Sequence, residues 1–281
     1  MPELIQQYAS CYKKNGYVVL PSAVSNQKVS KIRSDITTLF CKQLAFLGIR
    51  PSSDASDRGL LENMCRLFDE SLERYQCCLR QVNKLVSVYE ALCSEQVLSF
   101  VRHLGFEVIS FPTDAVFHCM ANRLRIPNGY MRLAPHQDWP AMQSSLDAVI
   151  VWAPLMDVNT EAGFPLEMIP QSHLQGLLPG ITHDHVYEVD PNYYDPEDFS
   201  PVYANRGDVI IFSAFCVHKT GDHTGDFLRL ACSTRFENVT EKTNVIRGYP
   251  SIHRRVVDRE IRTQGFPKKE DVAAVFEQKE R

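Results

Sequence analysis

From residue 106 onward the chain is a succession of short apolar runs with turn residues between them, and this texture limits the folds open to it. The runs are FEVISF (106–111), AVFHCMANRL (115–124), DAVIVWAPL (147–155), FPLEMIP (164–170), DVIIFSAF (208–215) and LRLACSTRFEN (228–238). Runs of this length, rich in Val, Ile and Phe and bounded by turn residues, read as β-strands. Several such strands at short spacing bury their apolar sides by forming a sandwich or barrel.

The first hundred residues read mainly as helix. GYVVLPSAV (16–24) is a short strand ended by Pro21, and Ser25 stands where a helix N-cap is needed. Val29, Ile32, Ile36, Leu39 and Phe40 then mark one face of a helix from about Gln27 to Leu47. A polar loop, RPSSDASDRG (50–59), precedes further helical stretches near 60–89 and 94–104. No internal repeat and no Pro/Gly/Ser linker divides the chain. The expectation is one α+β domain over 1–281, with 1–104 as mostly helical support, a β core over 105–240 and a helical tail over 241–281.

Composition narrows the function classes. A length of 281 residues suffices for a sizeable core, and 44% hydrophobic with 23% charged residues is ordinary for a globular chain. A net charge of −4 offers no attraction for nucleic acid or an anionic membrane. No apolar stretch approaches the ~20 residues of a bilayer span. The opening MPELIQQYASCYKKNG lacks the basic and apolar regions of a secretion signal. The nine cysteines, with no C-x2-C pair, therefore read as reduced thiols in a cytoplasmic protein. Cys216 and Cys232 read as small core hydrophobes. The expected partner is a small-molecule substrate, with no nucleic acid and no membrane.

The stretch RLAPHQDWP (132–140) sets His136 and Asp138 two residues apart. Alone, such a pair is commonly a hydrogen-bonded couple or a surface turn. At a strand end, side chains two apart point the same way, and imidazole with carboxylate suits a borderline divalent metal such as Fe(II). A second histidine is then needed, and His218, at the far end of the buried strand in RGDVIIFSAFCVHKTG, is the best candidate. Two histidines and one carboxylate leave three coordination positions open. Arg229, eleven residues on, opens the next strand; a hairpin return would aim it into the same cavity, where it could pair with a carboxylate. Arg235, six residues further with the same face parity, is the alternative. His173 reads as a structural loop residue, and His118, His183, His185, His223 and His253 have no spacing case.

HQD (136–138), VIVWAPLMDVNTEAGFPLEMIPQSH (149–173) and RGDVIIFSAFCVHKTG…FLRLACSTRFEN (206–238) together resemble the phytanoyl-CoA dioxygenase family of Fe(II)/2-oxoglutarate oxygenases. YKKNGYVVLPSAVS near the N-terminus is similar to the family's opening. The resemblance covers about 105–240 well. It implies a double-stranded β-helix, a cupin-like jelly-roll with helices outside. It implies that His136, Asp138 and His218 ligate Fe(II), and that Arg229, assisted by Thr220, binds the distal carboxylate of 2-oxoglutarate. Trp152 matches an aromatic of the cosubstrate pocket, with Met120 or Asn122 on the other wall. Two places depart from the family pattern: PQSH (170–173) lacks the usual glycine, and TGDHTGDF (220–227) is atypical before the arginine.

The implied reaction consumes 2-oxoglutarate and O2, releases succinate and CO2, and hydroxylates an unactivated C–H bond. Asp138 fills the position that related halogenases leave open for chloride. Residues 181–208, with seven acidic residues against one basic and four tyrosines, read as a long lid loop. That acidity favours a small polar, amine-bearing or sugar-like substrate over a CoA ester. The basic run RGYPSIHRRVVDREIR (247–262), with Arg254 and Arg255, pulls the other way. A non-catalytic jelly-roll that binds a ligand, and a CoA-ester hydroxylase of the same family, are the alternatives.

Overall fold

In VIVWAP (149–154) every residue is buried, which explains a run that is apolar at successive positions rather than at alternate ones. This strand, β4 (Val149–Pro154), is covered on both faces. A computed structural model describes residues 2–126, 134–160, 163–183, 186–222, 227–250 and 267–277. In it β4 lies near the middle of a larger antiparallel sheet, between β9 (Val209–Ser213) and β11 (Arg229–Asn238). Beyond β9 lies β1 (Tyr17–Leu20). The ten-residue β11 pairs along its other edge with β3 (Val116–Met120) and then with β2 (Ile109–Ser110).

A smaller antiparallel sheet runs in the order β10 (His218–Thr220), β5 (Leu166–Met168), β8 (Ser200–Val202). It is extended by a single residue, His136, which bridges His218 on one side and Glu188 on the other. Glu188 belongs to β7 (Val186–Val189), the partner of β6 (Gly180–His183). Two facing antiparallel sheets built in this way form the jelly-roll expected from the sequence.

Period-two alternation divides the core. Val149, Val151, Ala153, Val209, Ile211, Leu230, Cys232 and Phe236 pack outward against the helices. Ile150, Trp152, Ile210, Phe212 and Ala231 turn inward, toward Leu166 and Met168 of the smaller sheet. On β11 the inward positions are therefore the odd ones, from Arg229 to Arg235. Cys216 and Cys232 are fully buried, and burial pushes the Cys216 thiol up to about 12, consistent with a role as core hydrophobes.

The outer face is covered by α1 (Pro2–Asn15), α2 (Asn26–Phe46), α3 (Asp57–Glu70), α4 (Leu72–Val82), α5 (Val86–Leu92) and α6 (Glu95–His103). Ser25 caps α2 by accepting from Lys28 N at 3.3 Å, and Val29, Ile32, Ile36, Phe40 and Leu44 form its buried stripe. The stretch near 60–89 is broken into three helices. Ser71, extended at φ −156°, ends one helix and caps the next. At the entry to β9, Gly207 holds φ +96°, and a Cβ there would stand 2.9 Å from Val24 O. Asp208 ties that turn down by accepting from Ser22 N at 2.9 Å and Asn205 N at 2.7 Å.

Residues 181–208 are not one long loop. They carry most of the β6–β7 hairpin, β8 and two 3-10 turns. Part of the acidity serves as turn capping: Asp190 accepts from Asn192 N and Asp195 from Glu197 N, both at 2.9 Å. Among the described residues two helices follow β11, α8 (Lys242–Ile246) and α9 (Lys269–Phe276). Arg132, His185, His223, His253, Arg254 and Arg255 lie outside the described residues. Among the described residues no helix is long and apolar enough to cross a membrane.

Candidate metal centre

His136 and His218 face each other across one antiparallel rung. His136 N donates to His218 O at 3.0 Å, and His218 N donates to His136 O at 3.1 Å. Their rings lie 4.0 Å apart between centroids, and both residues are buried. In each ring Nδ1 meets a carbonyl, Ala134 O at 2.8 Å for His136 and Cys216 O at 3.0 Å for His218. A carbonyl can only accept, so each Nδ1 carries the proton and each Nε2 keeps its lone pair. Burial and the neighbouring His136 push the His218 pKa down to about 3, so His218 is neutral at physiological pH.

Asp138 follows two residues later, at the start of α7 (Trp139–Met142). Its Oδ1 lies 3.5 Å from His136 Nε2. Burial alone would raise the Asp138 carboxyl, but the Arg235 guanidinium outweighs it and holds the group well below the usual carboxylate range. The three side chains offer ligand atoms all within 4.8 Å of one another. Two imidazole lone pairs and an ionised carboxylate converging in a buried place repel one another unless a cation lies between them. The residues present therefore fit a divalent metal.

The intervening Gln137 fixes this segment from behind. Its amide donates to Gly176 O at 2.8 Å and Phe215 O at 2.7 Å and accepts from Leu178 N at 2.9 Å. The Pro135 carbonyl accepts from Val189 N at 2.9 Å. Trp139 is buried, stacks on Phe215 at 5.6 Å, and has the Arg247 guanidinium 5.3 Å from its ring centroid.

A cavity of about 210 Å³ opens from the three residues. Arg229, Thr220 and Trp152 line it. Arg229 is buried on β11 with its guanidinium carbon 5.4 Å from the Trp152 ring centroid, within cation–π range. Thr220 stands two residues beyond His218 on the same strand face. Trp152 Nε1 is buried and meets no acceptor among the described residues.

Of β3, which lies beside β11 in the larger sheet, Val116 and His118 line the cavity, whereas Met120 and Asn122 do not. Met120 is buried deeper along that strand, in register with Arg229, and Asn122 is exposed in the 3-10 turn beyond it. His118, for which spacing gave no case, belongs to the site: its Nε2 lies 2.9 Å from Ser233 Oγ. Burial, then Arg229 and Arg235, hold its pKa well below the usual histidine range. Its one sequence signal is parity with Val116 on a strand whose other face is core. Arg235 lines the cavity too, with its Nη2 3.2 Å from Asp138 Oδ2. His173 lies elsewhere, buried, with Nε2 3.1 Å from Lys13 O.

Two facing antiparallel sheets that hold a His-Asp-His cluster at their inner end define a double-stranded β-helix with a candidate metal centre. The profile of the phytanoyl-CoA dioxygenase family matches residues 12–231, and the chain belongs to that family. A comparison with curated proteins finds no match. Among solved structures, the chain is similar to the epimerase SnoN in complex with Fe3+, alpha ketoglutarate and nogalamycin RO, at 18% identity and TM-score 0.57, covering 85% of this chain and 86% of that one. It is also similar to the non-heme monooxygenase ThoJ, at 16% identity and TM-score 0.58, covering 83% and 78%. A third is EctD from S. alaskensis with 2-oxoglutarate and 5-hydroxyectoine, at 17% identity and TM-score 0.52, covering 84% and 76%. At these identities the likeness is one of fold.

Proposed function

We propose that the protein is an Fe(II)- and 2-oxoglutarate-dependent dioxygenase that hydroxylates an unactivated C–H bond of a small polar metabolite, releasing succinate and CO2. The observation that carries this reading is the facing pair of His136 Nε2 and Asp138 Oδ1, 3.5 Å apart and buried, completed by His218. His136, Asp138 and His218 would hold the iron. When bound, Fe(II) with 2-oxoglutarate supplies the activation of O2 that C–H oxidation requires.

The remaining work belongs to this chain's side chains. Arg229, buried beside Trp152, offers a fork of donors for the distal carboxylate, with Thr220 of the facing sheet lining the same cavity. The orphaned Trp152 Nε1 is suited to an oxygen acceptor brought by a bound anion. Ile150, Leu166 and Phe212 line the same cavity and exclude water from the reacting centre. A monodentate carboxylate and two imidazoles use three coordination positions and leave three for the cosubstrate and O2.

Membership of the family, the similarity to SnoN, ThoJ and EctD, and the fit of the donor set support an oxygenase of this class. The acidic residues of 181–208 and the small cavity favour a polar substrate without a bulky acyl-CoA. The test is anaerobic titration with Fe(II) and 2-oxoglutarate, followed in the visible region for the charge-transfer band of the chelated cosubstrate. Wild type should show the band and His136→Ala should not; no band in wild type, or an undiminished one in the variant, ends the reading. Faster 2-oxoglutarate turnover with fatty acyl-CoAs than with amines and sugars would replace the substrate class while leaving the reaction class intact.

A further inference from the structure

The sequence offers two arginines of equal parity on one strand, and the structure gives them different neighbours. Arg229 lies beside Trp152 in the cavity that Thr220 also lines. Arg235 Nη2 donates to Asp138 Oδ2 at 3.2 Å, while Asp138 Oδ1 is the oxygen that faces His136. Arg235 Nη1 donates to Ser233 Oγ at 3.1 Å, and Ser233 Oγ is in turn 2.9 Å from His118 Nε2. Arg229, Ser233 and Arg235 stand on inward positions of β11, and His118 stands on its neighbour β3. Arg235 and Asp138 are both nearly buried, with 14% and 11% of their side chains exposed.

We propose that Arg235 is a positioning residue for the metal: it occupies the outer oxygen of Asp138, so that Asp138 presents one oxygen, Oδ1, to the ion. The inference rests on the functional reading above. A free carboxylate can chelate a cation through both oxygens, and doing so here would consume one of the three positions needed by cosubstrate and O2. A guanidinium is planar and rigid. Anchored on Ser233 through Nη1, it holds its second donor in one direction, and with it the plane of the carboxylate. Ser233 and His118 support the arginine and do not themselves reach Asp138.

The test uses the full-length protein and Co(II), a redox-stable probe of the Fe(II) site. Apparent Co(II) dissociation constants are measured by titration for wild type, Arg235→Met, Arg235→Lys and Ser233→Ala, with circular dichroism and Tm recorded for each metal-free protein. Loss of an outer partner of a metal ligand weakens binding about 10- to 100-fold, and Arg235→Met is expected in that range. Arg235→Lys, which keeps the charge and loses the fork, should recover part of the loss. Ser233→Ala should weaken binding about fivefold, the worth of one hydrogen bond. With saturating metal, the 2-oxoglutarate KM of Arg235→Met should stay near that of wild type, whereas Arg229→Met should show the opposite pattern.

Co(II) affinity within twofold of wild type in both Arg235 variants overturns the proposal. So does a raised 2-oxoglutarate KM in Arg235→Met with Co(II) affinity intact, which would make Arg235 the cosubstrate anchor. If Arg235→Met does not fold, the lysine variant and Ser233→Ala decide by the same criterion. Wild type that binds no Co(II) at all removes the metal reading itself, a result distinct from either failure of Arg235.

Discussion

Each donor at the centre has its direction fixed by something other than the metal. Cys216 and Ala134 carbonyls turn the two imidazoles, and Arg235 turns the carboxylate. Asp138→Ala should therefore abolish binding of Fe(II) with 2-oxoglutarate while leaving the fold intact, as checked by the charge-transfer band and circular dichroism. On the proposed pairing of Arg229 with the distal carboxylate of 2-oxoglutarate, Arg229→Ala should cost about 2 kcal/mol or more of cosubstrate binding. The 2-oxoglutarate KM should rise about 30-fold or more, with a smaller change in the Fe(II) requirement. HQD, His218 and Arg229 were legible in the sequence because their chemistry recurs at fixed spacing. His118 and Arg235 were not assigned their places, because only the pairing of β3 with β11 brings His118, opposite Ala231, within reach of Ser233, and only the folded chain sets Arg235 against Asp138.

Seven strands, β1 to β5, β9 and β11, and the capped helix α2 could be read from pattern, since each strand lies in an apolar run bounded by turn residues and the helix shows its cap. The three-residue β10 could not, although it carries His218; its definition comes from β5, paired at His218–Met168. The acidic stretch after residue 180 looked like loop for the related reason that its strands are short and polar. Turn geometry matters as much as strand pattern at Gly16, which holds φ +84° between α1 and β1. A Cβ there would fall 2.4 Å from His173 Nδ1. Gly16→Ala should lower stability by roughly 2–3 kcal/mol, from the backbone conformation and the clash together. The companion His173→Ala should relieve the clash, so the double variant, compared by urea denaturation, should lose less than the sum of the two.

His173 also joins distant parts of the chain. It donates to Lys13 O in α1 and meets the Phe276 ring of α9 edge-on at 4.7 Å. Burial pushes its pKa down to about 4 from 6.5. A base with a depressed folded-state pKa stabilises the protein fully above pH 6.5 and loses that contribution as pH falls toward 4. The loss is on the order of 3 kcal/mol. Wild type should show this acid-side slope in urea midpoints, and His173→Gln should flatten it. Arg247, whose guanidinium donates to Gln143 O at 2.9 Å and to Ser144 O, ties the segment after β11 to the turn that follows α7. Both ends of the chain are thereby joined to the jelly-roll that carries the metal residues.

The rung shared by His136 and His218 bears on the entropy of metal capture. Ligands on mobile loops must be ordered when the ion arrives, and part of the binding free energy is lost in doing so. Here the two histidines are already each other's backbone partners, and the ordering is supplied by folding. Metal loading should thus leave amide hydrogen exchange of the strands almost unchanged while raising Tm through mass action.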